Sequence, residues 1–139
     1  MKSILAILFC SILFSSFQKA PGLLQISFRN STNEDFKILS IYTRDGYLTF
    51  HDLKKGQTTL PTFITGSYLY SYAYAVTSKD TMVTFGYCRT GERNYTKGRM
   101  LMEFNNADPK DDYDGKRHLL IKSTIDSTSA IASSKKHQY

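Results

Sequence analysis

Short segments of alternating apolar and polar residues, turn signals at roughly ten-residue spacing and the lack of any helical period predict an all-β fold. The architecture expected is an immunoglobulin-like two-sheet β-sandwich of seven or eight short antiparallel strands behind an N-terminal signal peptide, with a small closed barrel as the competitor. With 139 residues, 41% apolar and 22% charged, and a mean hydropathy of −0.33, the chain has room for one globular domain. That composition excludes collagen-like, coiled-coil and wholly disordered chains, and the length excludes a large two-domain enzyme. Trp is absent and Cys occurs twice. An antibody-type core of Trp against a disulfide is therefore excluded, while the wider sandwich is not.

Met1-Lys2-Ser3 is a short positive start, Ile4 to Phe14 is an apolar run of eleven residues, and Ser15-Ser16 returns to polarity. That order reads as a secretory signal peptide, because crossing a bilayer takes about 20 apolar residues. The organisation predicted is a signal peptide over 1–20, a β-sandwich domain over 21–126 and a Ser/Thr-rich, disordered tail over 127–139. The mature chain is expected to begin between Ser16 and Leu23, since Gln18 and Pro21 suit a peptidase poorly around Ala20. Cys10 imitates a lipid-attachment cysteine, but bulky Phe9 precedes it and it lies inside the apolar run. Export without an anchor, to the periplasm or the medium, is the expectation. Cys88 is then the sole cysteine, so no intramolecular disulfide forms, and its place beside Tyr87 reads as an inert buried thiol despite the adjacent Arg89. The net charge of +6 falls by two when Lys2 and Lys19 are removed. A balance so mild is no nucleic-acid signature, although it suits an acidic surface or polymer.

The domain opens with Leu24, Ile26 and Phe28 alternating with Gln25 and Ser27, a half-buried strand. After the polar stretch Asn30 to Asp35, Phe36 to Tyr42 reads as the second strand. Arg44-Asp45-Gly46 is a hairpin turn, because Gly takes the positive φ that primed turns need, and Tyr47 to Phe50 returns from it. Leu53 to Gln57 turns again into Thr58 to Ile64, where Pro61 lacks an N–H and belongs at an edge or a break. Tyr68 to Val76 reads as a strand of nine residues, Met82 to Cys88 as the next, and Arg89 to Gly98 as a basic loop. Arg99 to Phe104 carries Met100, Met102 and Phe104 on one face; an Asp-rich loop leads to a last strand from His118 to Lys122.

Tyr68, Tyr70, Tyr72 and Tyr74 share one face of the nine-residue strand, opposite mainly small residues. They read first as core, so that Tyr72→Ala would cost about 3 kcal/mol. They read second as an aromatic platform for a glycan or peptide. Pairing Val76 with Val83 would stack Tyr74 on Phe85 and Tyr72 on Tyr87, whereas a slip of one residue would send Phe85 and Tyr87 to the alanine face.

Chemistry-bearing motifs are sparse. His51, His118 and His137 have no ligand partners at metal-binding spacing, and no cofactor or metal is predicted. Asp108, Asp111, Asp112 and Asp114 fail the EF-hand order, because Lys110 takes the first ligand position and Ile121 the twelfth. Asn30-Ser31-Thr32 and Asn94-Tyr95-Thr96 match the glycosylation sequon, which matters only in a eukaryotic secretory pathway. No phosphate loop, nucleophile elbow or spaced carboxylate pair occurs, so no catalytic residue is assigned and a non-enzyme is expected. Two readings stand: a non-enzymatic envelope or secreted interaction module, and a small carbohydrate- or ligand-binding domain. The second would use Tyr68, Tyr70, Tyr72 and Tyr74 with the basic residues Arg89, Arg93, Lys97 and Arg99. The partner would be an envelope protein or a glycan, not a nucleic acid.

Leu53-Lys54-Lys55-Gly56-Gln57-Thr58-Thr59, then Tyr68-x-Tyr70-x-Tyr72-Ala73-Tyr74, Gly86-Tyr87-x-x-x-Gly91-Glu92 and Lys97-Gly98-Arg99, follow one another in a recognisable order. Over roughly Leu24 to Asp126 the chain resembles small secreted or lipid-anchored proteins of Gram-negative bacteria that have a predicted β-sandwich and no known activity. The resemblance implies export and a β fold, and assigns no substrate or catalytic residue. Lipid-anchored members carry their Cys just after the apolar run, where Cys10 does not lie.

Overall fold

The computed structural model describes residues 23–86, 93–111 and 115–126. The predicted signal peptide and tail, Cys88, Arg89, Asp112, Asp114 and His137 lie outside the described residues. The strands are β1 Leu24–Asn30, β2 Phe36–Thr43, β3 Gly46–Leu53, β4 Thr62–Ile64, β5 Ser67–Tyr68, β6 Ala73–Val76, β7 Thr81–Thr84, β8 Asn94–Tyr95, β9 Gly98–Asn106 and β10 Arg117–Asp126. Among the described residues a single 3-10 turn covers Pro109–Asp111. The fold is all-β, and among the described residues no helix is long and apolar enough to cross a membrane.

Eight strands form one hydrogen-bonded sheet in the order β3-β2-β6-β7-β10-β9-β1-β4, while β5 and β8 make a separate ribbon. Hydrogen bonding thus runs unbroken where the sequence predicts two sheets. Two pairs, β1 with β9 and β7 with β10, are parallel, which corrects the expected all-antiparallel scheme. Alternation within a strand reports which face is buried but carries no information about its neighbour or their relative direction.

The sheet curls around its apolar face. Leu24, Ile26 and Phe28 of β1, Leu39 and Ile41 of β2, Met100, Met102 and Phe104 of β9, and Leu119 and Ile121 of β10 are all buried in one cluster. The Phe28 ring lies 6.4 Å from Phe104 on the adjoining strand and 5.3 Å from Phe50 on β3, which is far from β1 in hydrogen-bond order. Such a contact needs the two edges of the sheet to come round toward each other. After β3 the chain turns at Lys54 to Gln57, with Gly56 at φ 76°, and runs back antiparallel to β1. The amide of Gly56 donates to Asn30 O at 2.6 Å, that of Asn30 to Gln57 O at 3.0 Å, and that of Thr59 to Phe28 O at 2.8 Å. Pro61 then interrupts the ladder before the short edge strand β4, the position its missing N–H dictates. At the far end of the seam the Asp45 carboxylate accepts hydrogen bonds from the amide and hydroxyl of Thr65.

Asn30 closes the near end. Its Nδ2 donates to Glu34 O at 2.8 Å and Leu53 O at 3.1 Å, while its Oδ1 accepts from the Thr32 amide at 3.1 Å and hydroxyl at 2.6 Å. The side chain is fully buried, so this sequon asparagine cannot carry a glycan in the folded chain.

The predicted strand from Tyr68 to Val76 is in fact two elements. β5 pairs with β8, residues 69–72 cross over, and only β6 joins the main sheet. At the junction Thr84 Oγ1 accepts from the Ala73 amide at 2.9 Å, replacing a ladder bond. Tyr74 faces Val83, Ala75 faces Met82 and Val76 faces Thr81. That register is shifted by two residues from the Val76–Val83 pairing, so the facing is kept and the one-residue slip does not occur. The tyrosine face is nevertheless the outer one: Ala73 and Ala75 are fully buried, and Tyr70 and Tyr72 are 40% and 43% exposed. The core reading of Tyr72 is thereby overturned. The interior is already filled by Phe28, Phe36 and Phe104, which leaves room only for methyl groups on β6.

Asn30→Ala strands the carbonyls of Glu34 and Leu53 and the Thr32 amide together. It should lower the urea-unfolding free energy by about 3 kcal/mol, since each buried polar group left unpaired costs roughly 1–3 kcal/mol. A variant within about 0.5 kcal/mol of the parent would show that the amide does not close the seam.

Candidate functional site

Strand direction sorts the molecule into two ends. β2, β6 and β7 are linked in register so that the end of β2, the start of β6 and the end of β7 coincide. β10 runs parallel to β7 and ends there too, while β9 and β1 begin there. The Arg44-Asp45 turn, the β5–β8 ribbon, Arg99 and Asp126 therefore gather at this end. Of the predicted binding residues, Tyr68, Tyr70, Tyr72, Arg93, Lys97 and Arg99 lie at this end or on the ribbon beside it, distributed over different strands. Arg89 lies outside the described residues, and Tyr74 sits half-buried one step inward along β6.

Two further tyrosines complete the aromatic part. Tyr42 and Tyr47 are directly opposed across the β2–β3 hairpin, their rings edge-on at 5.3 Å. The Tyr42 amide donates to Tyr72 O at 2.8 Å, which carries the row onto the β6 strand line. Tyr47, Tyr42 and Tyr72 thus form an outward row across three neighbouring strand lines, exposed by 58%, 41% and 43%. The row passes into packing beyond Tyr72, where the Phe85 ring stacks on His118 at 4.4 Å and 8° and leaves that histidine buried. The Asp45-Gly46 signal predicted the hairpin, but a two-residue turn at those positions would set Tyr42 opposite Thr49; the turn is Arg44-Asp45, and it is this register that brings Tyr42 and Tyr47 face to face.

The basic residues are spread around the same end of the sheet. Arg44 stands exposed on the hairpin turn, with its stem beside Gly66. A Cβ at Gly66 would lie 3.0 Å from Asn94 Oδ1 and 3.2 Å from Arg44 Cδ, so glycine lets the ribbon close against the turn. Arg93 places its guanidinium 5.7 Å from the Tyr95 ring centroid, and Tyr95 packs on the core. Lys97 is exposed between β8 and β9, and Arg99 lines an outer groove with Gln25, Ser27, Thr124 and Asp126.

No family model, curated protein or solved structure matches the chain.

The opposite end holds the ionic contacts. Arg117 binds both oxygens of Glu34 and both of Asp80, its Nε reaching Asp80 Oδ2 at 2.7 Å, and Lys79 stands 3.5 Å from Glu34. The loop after β1, the β6–β7 turn and the start of β10 are thereby tied together. No sequence pattern links these residues, which lie far apart in the chain and meet only through the fold. Asp108 Oδ1 accepts from the Lys110 amide at 3.0 Å, which makes it a turn residue. Among the described residues no three His, Cys, Asp or Glu side chains stand together.

Hydrogen bonds from Arg117 hold the Glu34 and Asp80 carboxyls below their ordinary values of 4.5 and 3.8. A carboxylate with a lowered folded pKa adds stability that is complete above its unfolded value and lost as pH falls through the folded one. The urea midpoint should therefore hold from pH 7 to about pH 5 and fall below it. Glu34→Gln should flatten that fall; Asp80→Asn should do so less, because Asp80 is 44% exposed and better screened. A second expected outcome concerns the rim: Tyr72→Ala should change unfolding free energy by about 0.5 kcal/mol or less.

Proposed function

We propose that the chain is an exported, non-catalytic binding module, periplasmic or secreted, that holds its partner on the tyrosine and arginine rim. The observation that carries this reading is the exposure of Tyr42, Tyr47 and Tyr72 side by side, next to exposed Arg44. Solvent-facing tyrosines offer rigid, amphipathic contact area at low entropic cost. This favours the glycan- or ligand-binding reading over a module that docks only by an edge. The Lys2, apolar-run, Ser15-Ser16 order supports export, as does the resemblance to secreted proteins of Gram-negative bacteria. We read the two halves of the curled sheet, facing each other through Phe28 and Phe50, as the layers of a sandwich-like module. The non-catalytic reading is supported by three carboxylates being engaged in structure: Glu34 and Asp80 on Arg117, and Asp45 on Thr65.

Glycan and peptide arrays probed with the full chain test the proposal. Binding is expected and should fall at least tenfold in Tyr47→Ala with the unfolding midpoint unchanged. Binding that survives Tyr42→Ala, Tyr47→Ala and Tyr72→Ala alike would remove the rim from the account, and turnover of the bound ligand would overturn the non-catalytic reading. For export, the intact mass of protein from its native host should match a start between Ser16 and Leu23; a retained Met1 would contradict it.

A further inference from the structure

We propose that the rim takes an acidic polysaccharide, a linear glycan bearing carboxylate or sulfate groups; this rests on the binding-module reading and narrows its ligand. The charge at the two ends is partitioned. At the rim end the described residues place Arg44, Arg93, Lys97 and Arg99 against the carboxylates of Asp45 and Asp126. At the other end Glu34, Asp35 and Asp80 form ion pairs with Lys54, Lys79 and Arg117, and Lys37, Lys55, Lys110 and Lys116 stand there with Asp52, Asp108 and Asp111, so the described charges come close to balance. The rim cations have no such match in number, and a polyanion supplies the missing charge.

The aromatic geometry selects a sugar chain among polyanions. Neighbouring strands lie about 4.8 Å apart, so a row over three strand lines spans about 10 Å and presents an extended, shallow surface. The row consists of Tyr47, Tyr42 and Tyr72. Their rings meet the C–H faces of successive sugars while the hydroxyls reach hydroxyl groups. Arg44, on the turn between Tyr42 and Tyr47, meets a carboxylate or sulfate of the same chain, and a planar guanidinium pairs with such groups through two parallel hydrogen bonds. A membrane surface fits less well: inserting tips carry Leu, Phe or Trp, whereas the row itself is made of tyrosines, with the strongly exposed Leu60 and Phe63 lying before and in β4.

Carboxymethyl-dextran and unmodified dextran share a backbone and differ in charge, which makes them the deciding probes for the full chain. Calorimetric titration should show binding to carboxymethyl-dextran, at least tenfold weaker binding to dextran, and a further tenfold loss between 50 and about 500 mM salt. Arg44→Gln should weaken the charged polymer fivefold or more and leave dextran unchanged, while Tyr47→Ala should weaken both. Equal binding of the two dextrans, insensitive to salt, would overturn the acidic ligand and leave the binding module standing. Polyglutamate bound as tightly as carboxymethyl-dextran would assign the rim to acidic peptides, and equally tight binding to phosphatidylglycerol vesicles would assign it to a lipid surface; either result overturns the proposal. No binding to any of the four would overturn both this inference and the rim as a recognition surface.

Discussion

Four hydrogen bonds converge on the Asn30 carboxamide, and through them the end of β1, the loop after it and the end of β3 become one unit. A curled sheet has two free edges, and unless these are brought together the apolar face opens to water. Asn30 sits where they meet. Its backbone joins the returning segment through Gly56 and Gln57, and its side chain reaches across to Leu53. The Phe28–Phe50 contact beneath it is possible only with the edges held in that relation. A fully satisfied amide in an apolar setting also specifies geometry in a way that packing alone does not, because any displaced arrangement strands several polar groups at once.

The remaining tertiary bonds are unevenly placed, and the proposed function rests on that asymmetry. The end that Asn30 closes also carries the Arg117 cluster and the Lys54–Asp35 pair, which bind loops distant in sequence into a fixed base. Glu34, Asp35 and Asp80 are each engaged by a cation there. The opposite end is held by contacts such as the two hydrogen bonds from Thr65 to Asp45 and the close approach at Gly66. Its cations and tyrosine rings stay exposed on a scaffold made rigid elsewhere. Recognition surfaces are commonly built this way, with adaptable side chains on a sheet whose position is already determined.

Ala73 and Ala75 show how packing volume, not hydrophobicity, chose the face of β6. Alanine and tyrosine alternate there, and either face is apolar enough to lie inside. Phe28, Phe36 and Phe104 reach in from other strands and occupy the space, so the methyl groups turn inward and the rings outward. An identical local pattern in an emptier interior would have reversed.

Composition, period and turn chemistry by themselves determined the all-β class, the alternation of Leu24, Ile26 and Phe28, the Met100–Met102–Phe104 face, the hairpin at Asp45-Gly46 and the break at Pro61. These are properties of one strand or one turn, set by side-chain alternation and by the φ values that Gly and Pro allow. The candidate site was legible only in part. Tyr72, Arg93, Lys97 and Arg99 were visible as residue types, whereas their meeting with Tyr42, Tyr47 and Arg44 at one end depends on strand order and direction. Parallel pairing of β1 with β9, the inward turn of the alanines and the buried role of Asn30 were likewise decided by the tertiary structure. Each depends on what another, distant part of the chain places opposite, and a residue's own neighbours in sequence carry no record of that.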